Sequence, residues 1–310
     1  MARRDVKDLE ASIRARLLKI AKETGENYNA VLLRFFQERF LARLAESRYQ
    51  KHFVLKGGLL LLVHHGSAFR PTVDIDMLGI DISNEPEVLV DIIRQIAELE
   101  LKDGVRFRTS PIDYKMIRED AEYQGWCFSF GVSLGKIKTR MQVDIGFGDA
   151  VAGDFLQGKL PSLLPDISVA ELLLYPLETV IAEKFQAMVY LGMANSRMKD
   201  VYDILFLAKN TSFLLENLRE AIDLTFIRRK TDVNRRFFLY QSEFIQKKEK
   251  MWRAFLKKIG SSESLQFSSV IEQIKKFLEP VLRAKKDEFD LVWEPKIWAW
   301  KESERKLINH

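Results

Sequence analysis

Between residues 6 and 49 the apolar side chains recur at helical spacing. Leu9, Ile13, Leu17, Leu18 and Ala21 form one stripe, and Val31, Leu32, Phe35, Phe36, Phe40, Leu41 and Leu44 form a second. Gly25-Glu26-Asn27 interrupts the pattern, which therefore predicts two core-facing helices. The period then changes. Phe53-Val54-Leu55-Lys56-Gly57-Gly58 ends in a glycine pair, Leu59 to His65 reads as a short helix, and residues 66 to 72, with Gly66, Ser67 and Pro71, read as a loop. Val73-Asp74-Ile75-Asp76-Met77-Leu78 alternates apolar and acidic residues. That predicts a strand with Val73, Ile75 and Met77 on one face and Asp74 and Asp76 on the other. An amphipathic helix over 88–101 follows. Residues 126–134 alternate again, with Phe128, Phe130, Val132 and Leu134 to one side. In the next run Met141, Val143, Ile145 and Phe147 point in, while Arg140, Gln142 and Asp144 point out. From Val169 the pattern is helical almost to the end.

These elements predict an α+β fold: N-terminal helices, a small mixed sheet with helices, and a helical C-terminal domain. Gly158, Pro161 and Pro165 cluster between sheet and helices, placing the expected boundary between residues 1–160 and 161–310.

Composition narrows the class. Of 310 residues, 47% are hydrophobic and 30% charged, enough to build a core, and 8 prolines with 15 glycines exclude a fibrous or disordered chain. The longest apolar run, Leu59 to Val63, is too short to span a bilayer. The N-terminal segment leads into an amphipathic helix, so a cytoplasmic protein with no membrane partner is expected. The single cysteine, Cys127, excludes an internal disulfide and a cysteine zinc site, and it reads as a small hydrophobe in a strand. His64 and His65 are adjacent but lack partners at ligand spacing, and read as structural. The net charge of +5 suits a protein that meets phosphates.

The chemistry concentrates on the acidic strand. Asp74 and Asp76, two residues apart, point to the same face about 7 Å apart. Two ionised carboxylates that close repel one another unless a cation neutralises them, and Mg²⁺ is the hard, oxygen-seeking ion for that role, with Mn²⁺ as its substitute. Asp144 on a separate strand offers a third carboxylate. Two such ions could activate an attacking hydroxyl and clamp a triphosphate. Upstream, Lys56-Gly57-Gly58 precedes a helix, where backbone N–H groups and the helix dipole favour phosphate. Arg70 and Thr72 sit just before the acidic strand.

Together these stretches resemble the first motif of the AbiEii/AbiGii nucleotidyltransferase toxins, of the polymerase-β-type nucleotidyltransferase superfamily. The matching residues are Phe53 to Gly58, then Arg70, Thr72, Asp74 and Asp76, with Val143-Asp144-Ile145 as the third acid. Downstream, Glu183-Lys184 resembles the family's lysine motif, and Arg197-x-Lys199-Asp200-x-x-Asp203 its last motif. Gly58 stands where serine is common in the wider superfamily; a double glycine is usual in this branch. The resemblance implies a polymerase-β-like core and a cleft between the two domains that binds a nucleoside triphosphate. It implies attack of a hydroxyl on the α-phosphate with release of pyrophosphate, Asp74, Asp76 and Asp144 holding Mg²⁺. Gly57 and Gly58 would line the phosphates, Lys184 and Arg70 would balance their charge, and Arg197, Lys199, Asp200 and Asp203 would form a charged wall. Asp203 could anchor Lys184 or Lys199.

The resemblance further implies a toxin that adds nucleotides to RNA, tRNA leading, and a cognate winged-helix antitoxin. Arg228-Arg229-Lys230 and Arg235-Arg236 are the basic clusters best suited to RNA phosphates. Trp293, Trp298 and Trp300 could stack on bases but are expected to pack on the helical domain. Two other classes remain open on the sequence: a GTP-binding regulator without transfer activity, and a protein-interaction module on the same scaffold.

Overall fold

The computed structural model describes residues 2–66, 70–118, 124–261, 265–284 and 290–303, with the side chains of 2–8, 118 and 124 outside the description. Ser67, expected in a loop, lies outside the described residues. The chain divides into two compact units. The first holds Met1–Gly148 and Phe155–Tyr175, the second Asp149–Asp154 and Pro176–His310. Residue 160, the expected boundary, falls inside the first unit. There Leu160 donates its N–H to Ala170 O, just beyond the paired strands β6 (Leu156–Lys159) and β7 (Glu171–Leu174).

The first unit opens with the two expected helices, α1 (Ala2–Thr24) and α2 (Tyr28–Glu46). Asn27 caps α2 by accepting from the Asn29 N–H, and Gly25 takes the positive φ of +72° that turns the chain between them. In α1, Ile13, Leu17 and Ala21 are buried, whereas Leu9 and Leu18 are exposed and do not belong to the core stripe. Helix α2 is buried nearly all round, polar residues included. Its Arg43 donates to both carboxylate oxygens of Asp103, at 2.7 and 3.1 Å, and to the carbonyls of Leu99 and Val105. A buried charge with every donor used is tolerated where a lone one is not.

The sheet has seven strands in the order β3-β4-β5-β2-β1-β7-β6. These are β1 (Phe53–Lys56), β2 (Asp74–Gly79), β3 (Val105–Arg118), β4 (Gln124–Leu134), β5 (Ile137–Phe147) and the two above. It is mixed, as expected for the α+β class: β2 pairs antiparallel with β1 and parallel with β5, and β1 pairs parallel with β7. Helix α3 (Gly57–His65) follows β1 directly and α4 (Pro86–Ala97) follows β2. Ile75, Met77, Phe128, Phe130, Val143 and Ile145 form the inward face, and the Phe40 ring of α2 meets Phe130 at 5.6 Å and Phe107 at 5.8 Å. Val73 departs from the expected pattern: it precedes the strand and is 63% exposed. Phe147 is only half-buried.

The second unit is helical: α5 (Leu177–Leu191), α6 (Met198–Asn210), α7 (Leu215–Arg228), α8 (Ser242–Lys258) and α9 (Phe267–Arg283). The tail is not helical. It forms a hairpin of β8 (Leu291–Glu294) and β9 (Ala299–Glu302) that the sequence pattern missed. Trp293 is fully buried and donates to Ala208 O at 2.7 Å, and Trp300 donates to Phe277 O and stacks on its ring. The tryptophans thus serve packing in this unit. No helix among the described residues is long and apolar enough to cross a membrane.

Candidate active site

Strand register brings the acids together. Asp76 of β2 lies opposite Asp144 of β5 on one side and Lys56 of β1 on the other, and Asp74 lies opposite Gln142. Side chains directly opposite share a face. One carboxylate oxygen each from Asp74, Asp76 and Asp144 lies within 4.8 Å of the others, and all three residues are half-buried. Thr72 donates its hydroxyl to Asp74 Oδ1 at 2.8 Å, which fixes that carboxylate from the loop before the strand. The donor set of three hard carboxylate oxygens, close enough to share one ion, fits a divalent cation.

The glycine pair is explained by the same acids. Gly57 starts α3 at φ +63°, a region that other residues enter at a cost, and a β-carbon there would fall 2.6 Å from Asp76 Cγ. At Gly58 a β-carbon would fall 2.6 Å from Thr72 Cβ. The first turn of α3 therefore lies against the acidic strand and its supporting threonine. Lys56 places its ammonium 4.4 Å from the ring centroid of the buried Tyr175, an orienting cation–π contact. Arg70 is half-buried, with a long 3.5 Å contact to Pro71 O.

Two residues of this neighbourhood were missed in the sequence. Cys127 of β4 lies opposite Asp144, and Gln142 donates to its sulfur at 3.4 Å. Burial and hydrogen bonding to Asp144 push the thiol up to about 11. Cys127 is buried, as expected, but on the acidic side of the sheet and not among the core phenylalanines. Alternation with Phe128 and Phe130 held that signal; what the sequence lacked was the register that sets β4 beside β5. Tyr175 left no such signal.

The later motifs form a cluster of their own in the second unit. Lys184 of α5 bridges two fully buried carboxylates, Asp200 Oδ1 at 3.0 Å and Asp203 Oδ2 at 2.8 Å. Arg197 Nε meets Asp200 Oδ2 at 2.6 Å. Asp203 thus anchors Lys184, and Lys199 is exposed. Arg197 is not a helical residue but the N-cap of α6, so the expected single helix face is a cap with the first two turns. Burial pushes the Asp200 carboxyl up, but Lys184 and Arg197 outweigh it and hold the group below its ordinary value. Of the basic clusters, Arg229 is buried and donates to Gln186 Oε1 at 3.0 Å, and Arg236 pairs with Glu279 at 2.8 Å. Neither side chain is presented to RNA. Arg228, Lys230 and Arg235 are exposed.

Residues 39–290 match the family described as nucleotidyl transferase AbiEii toxin, type IV TA system. The chain belongs to the AbiEii family. It is accordingly a nucleotidyltransferase toxin, acting on a nucleotide substrate and paired with an antitoxin. Two solved structures are similar to it. One is described as a candidate nucleotidyltransferase from H. pylori, with 14% identity over 84% of this chain and 100% of that one, at a TM-score of 0.44. The other is JHP933 from Helicobacter pylori, with 15% identity over 82% and 94%, at a TM-score of 0.43. No curated protein matches the AbiEii chain by sequence.

Proposed function

We propose that this AbiEii chain transfers a nucleotide from a nucleoside triphosphate to an RNA acceptor, tRNA before others, with Mg²⁺ or Mn²⁺ held by Asp74, Asp76 and Asp144. The observation that carries the reading is the triad of carboxylates whose oxygens lie within 4.8 Å on adjacent strands. Bound there, the metal ions would lower the pKa of an attacking hydroxyl and neutralise charge on the triphosphate. The chain's own contribution is positioning. Thr72 holds Asp74, and Gly57 lets the α3 backbone approach Asp76 with its N-terminal N–H groups available to an anionic group. Lys56, beside Asp76, supplies a cation, and Arg70 a second. In the second unit Lys184 is the phosphate cation that the resemblance assigns, held in one orientation by Asp200 and Asp203. The protein acts in the cytoplasm, where both substrates are found, and its antitoxin is a winged-helix repressor.

Incubation of the purified chain with each labelled nucleoside triphosphate, Mg²⁺ and total RNA tests this. Label carried into RNA, lost on chelation, is the expected result. Nucleotide binding without transfer to any RNA would leave the regulator reading in its place.

A further inference from the structure

The register that assembles the acids also sorts charge along the same sheet face. Going back along β5 from Asp144, the residues on its side are Gln142, Arg140 and Lys138. Across β4 they oppose Ser129, Gly131 and Ser133, and beyond β4 the β3 residues in the last two rows are Arg108 and Arg106. Two basic rails, Arg106 with Arg108 and Lys138 with Arg140, thus flank a floor of small residues, Gly131 and Ser133. All four basic side chains are exposed. The floor is low enough for Arg108 to lie across it: a β-carbon at Gly131 would fall 3.4 Å from Arg108 Nε.

Two strand spacings, about 10 Å, separate the rails, so their charges feel one another within about one Debye length. Like charges placed this way repel. Arg140 is partly compensated by Asp113, which it contacts along with Ser129. Arg106, Arg108 and Lys138 form no ion pair with a carboxylate among the described residues. Exposed cations held this close form a positive field that attracts an external polyanion. A single triphosphate is too short for it: Lys138 is six residues from Asp144, about 20 Å along the strand. A repeating polyanion fits, and the track leads along β5 directly to the carboxylates.

We propose that this basic trough on β3–β5 binds the phosphodiester backbone of the RNA acceptor and delivers its reacting end to Asp74, Asp76 and Asp144. The inference rests on the reading that RNA is the acceptor. Its test is a salt titration of binding to bulk tRNA by fluorescence anisotropy, using the full chain and the triple variant R106Q/R108Q/K138Q. A second variant, K257Q/K258Q, removes two exposed charges from α8 in the other unit. Each phosphate contact contributes about 0.7–0.9 to the slope of log affinity against log salt. The trough variant is expected to lose about 10- to 100-fold in affinity at low salt and about two to three in slope. It should keep the melting shift that a nucleoside triphosphate with Mg²⁺ gives the wild type, which reads folding and nucleotide binding together. The α8 variant should bind as the wild type does. Unchanged affinity in the trough variant, or equal losses in both variants, would overturn the trough while leaving RNA as acceptor. Unchanged RNA affinity with lost binding of the cognate antitoxin would give the face to a protein. A wild type that binds no RNA at all would overturn the acceptor reading and the trough with it.

Discussion

Gly57 and Asp76 are in such close approach that a β-carbon on the glycine would fall 2.6 Å from the carboxylate carbon. The glycine also holds φ at +63°. Gly57→Ala therefore meets two penalties, a left-handed backbone costing about 1–2 kcal/mol and a clash with the Asp76 carboxylate. On the proposed function the displaced group is a metal ligand, so transfer should fall by orders of magnitude while the melting temperature falls by several degrees. Gly25→Ala serves as comparison, since φ there is +72° and no atom lies within 4 Å of the added carbon. Equal loss of activity in the two variants would mean that Gly57 matters for its backbone and not for Asp76.

Lys184 carries a structural load that its motif does not announce. Substitution by alanine removes the cation 2.8 Å from the buried Asp203 and one of the cations that hold Asp200. Breaking a buried pair by removing one partner costs about 3–5 kcal/mol. Lys184→Ala should thus lower the melting temperature markedly, before any effect on nucleotide affinity is counted. The double variant Lys184→Met with Asp203→Asn removes charge from both partners and should recover part of that stability without recovering transfer. Thermal melts beside transfer rates separate the two roles; full stability in Lys184→Ala would contradict the buried network.

Asp200 adds a pH dependence with a definite sign. Its carboxyl is held below its ordinary value in the folded chain by Lys184 and Arg197, against the desolvation of its burial. A depressed carboxyl stabilises the fold fully above the unfolded value of about 3.9, and that contribution is lost as pH falls through the lower folded value. Asp200→Asn should be less stable than wild type at neutral pH, with the difference narrowing below about pH 4. Chemical denaturation at a series of pH values measures this. A gap that stays constant down to pH 3 would show that the carboxyl is not depressed.

The acidic strands were open to reading in the sequence because β-strand alternation has a period of two. Asp74, Asp76 and Asp144 could be set on polar faces from their neighbours alone, and the helices before and after could be placed from their stripes. What the alternation could not supply was register. The opposition of Asp76 to Asp144, of Cys127 to Asp144 and of Arg108 to Gly131 depends on long-range strand pairing. Short strands escaped for a related reason: β6 and β7 have four residues each, and a run that short has no period to detect. Charge was the least legible. Arg229 and Arg236 look like surface cations in sequence and are buried partners of Gln186 and Glu279. Arg39 and Arg43 likewise sit inside α2, where an amphipathic reading expects solvent.

On the proposed function Asp76 completes a metal site used for transfer. The direct measurement is Mg²⁺-dependent incorporation of labelled nucleotide into RNA by wild type and Asp76→Asn, with the melting temperature of each recorded with and without metal. The amide keeps the shape and removes one of three repelling charges, so the variant's apo form should melt at or slightly above the wild type. Its metal-induced shift should shrink and its transfer should vanish. Retained transfer with an undiminished metal shift would contradict the assignment of the three carboxylates.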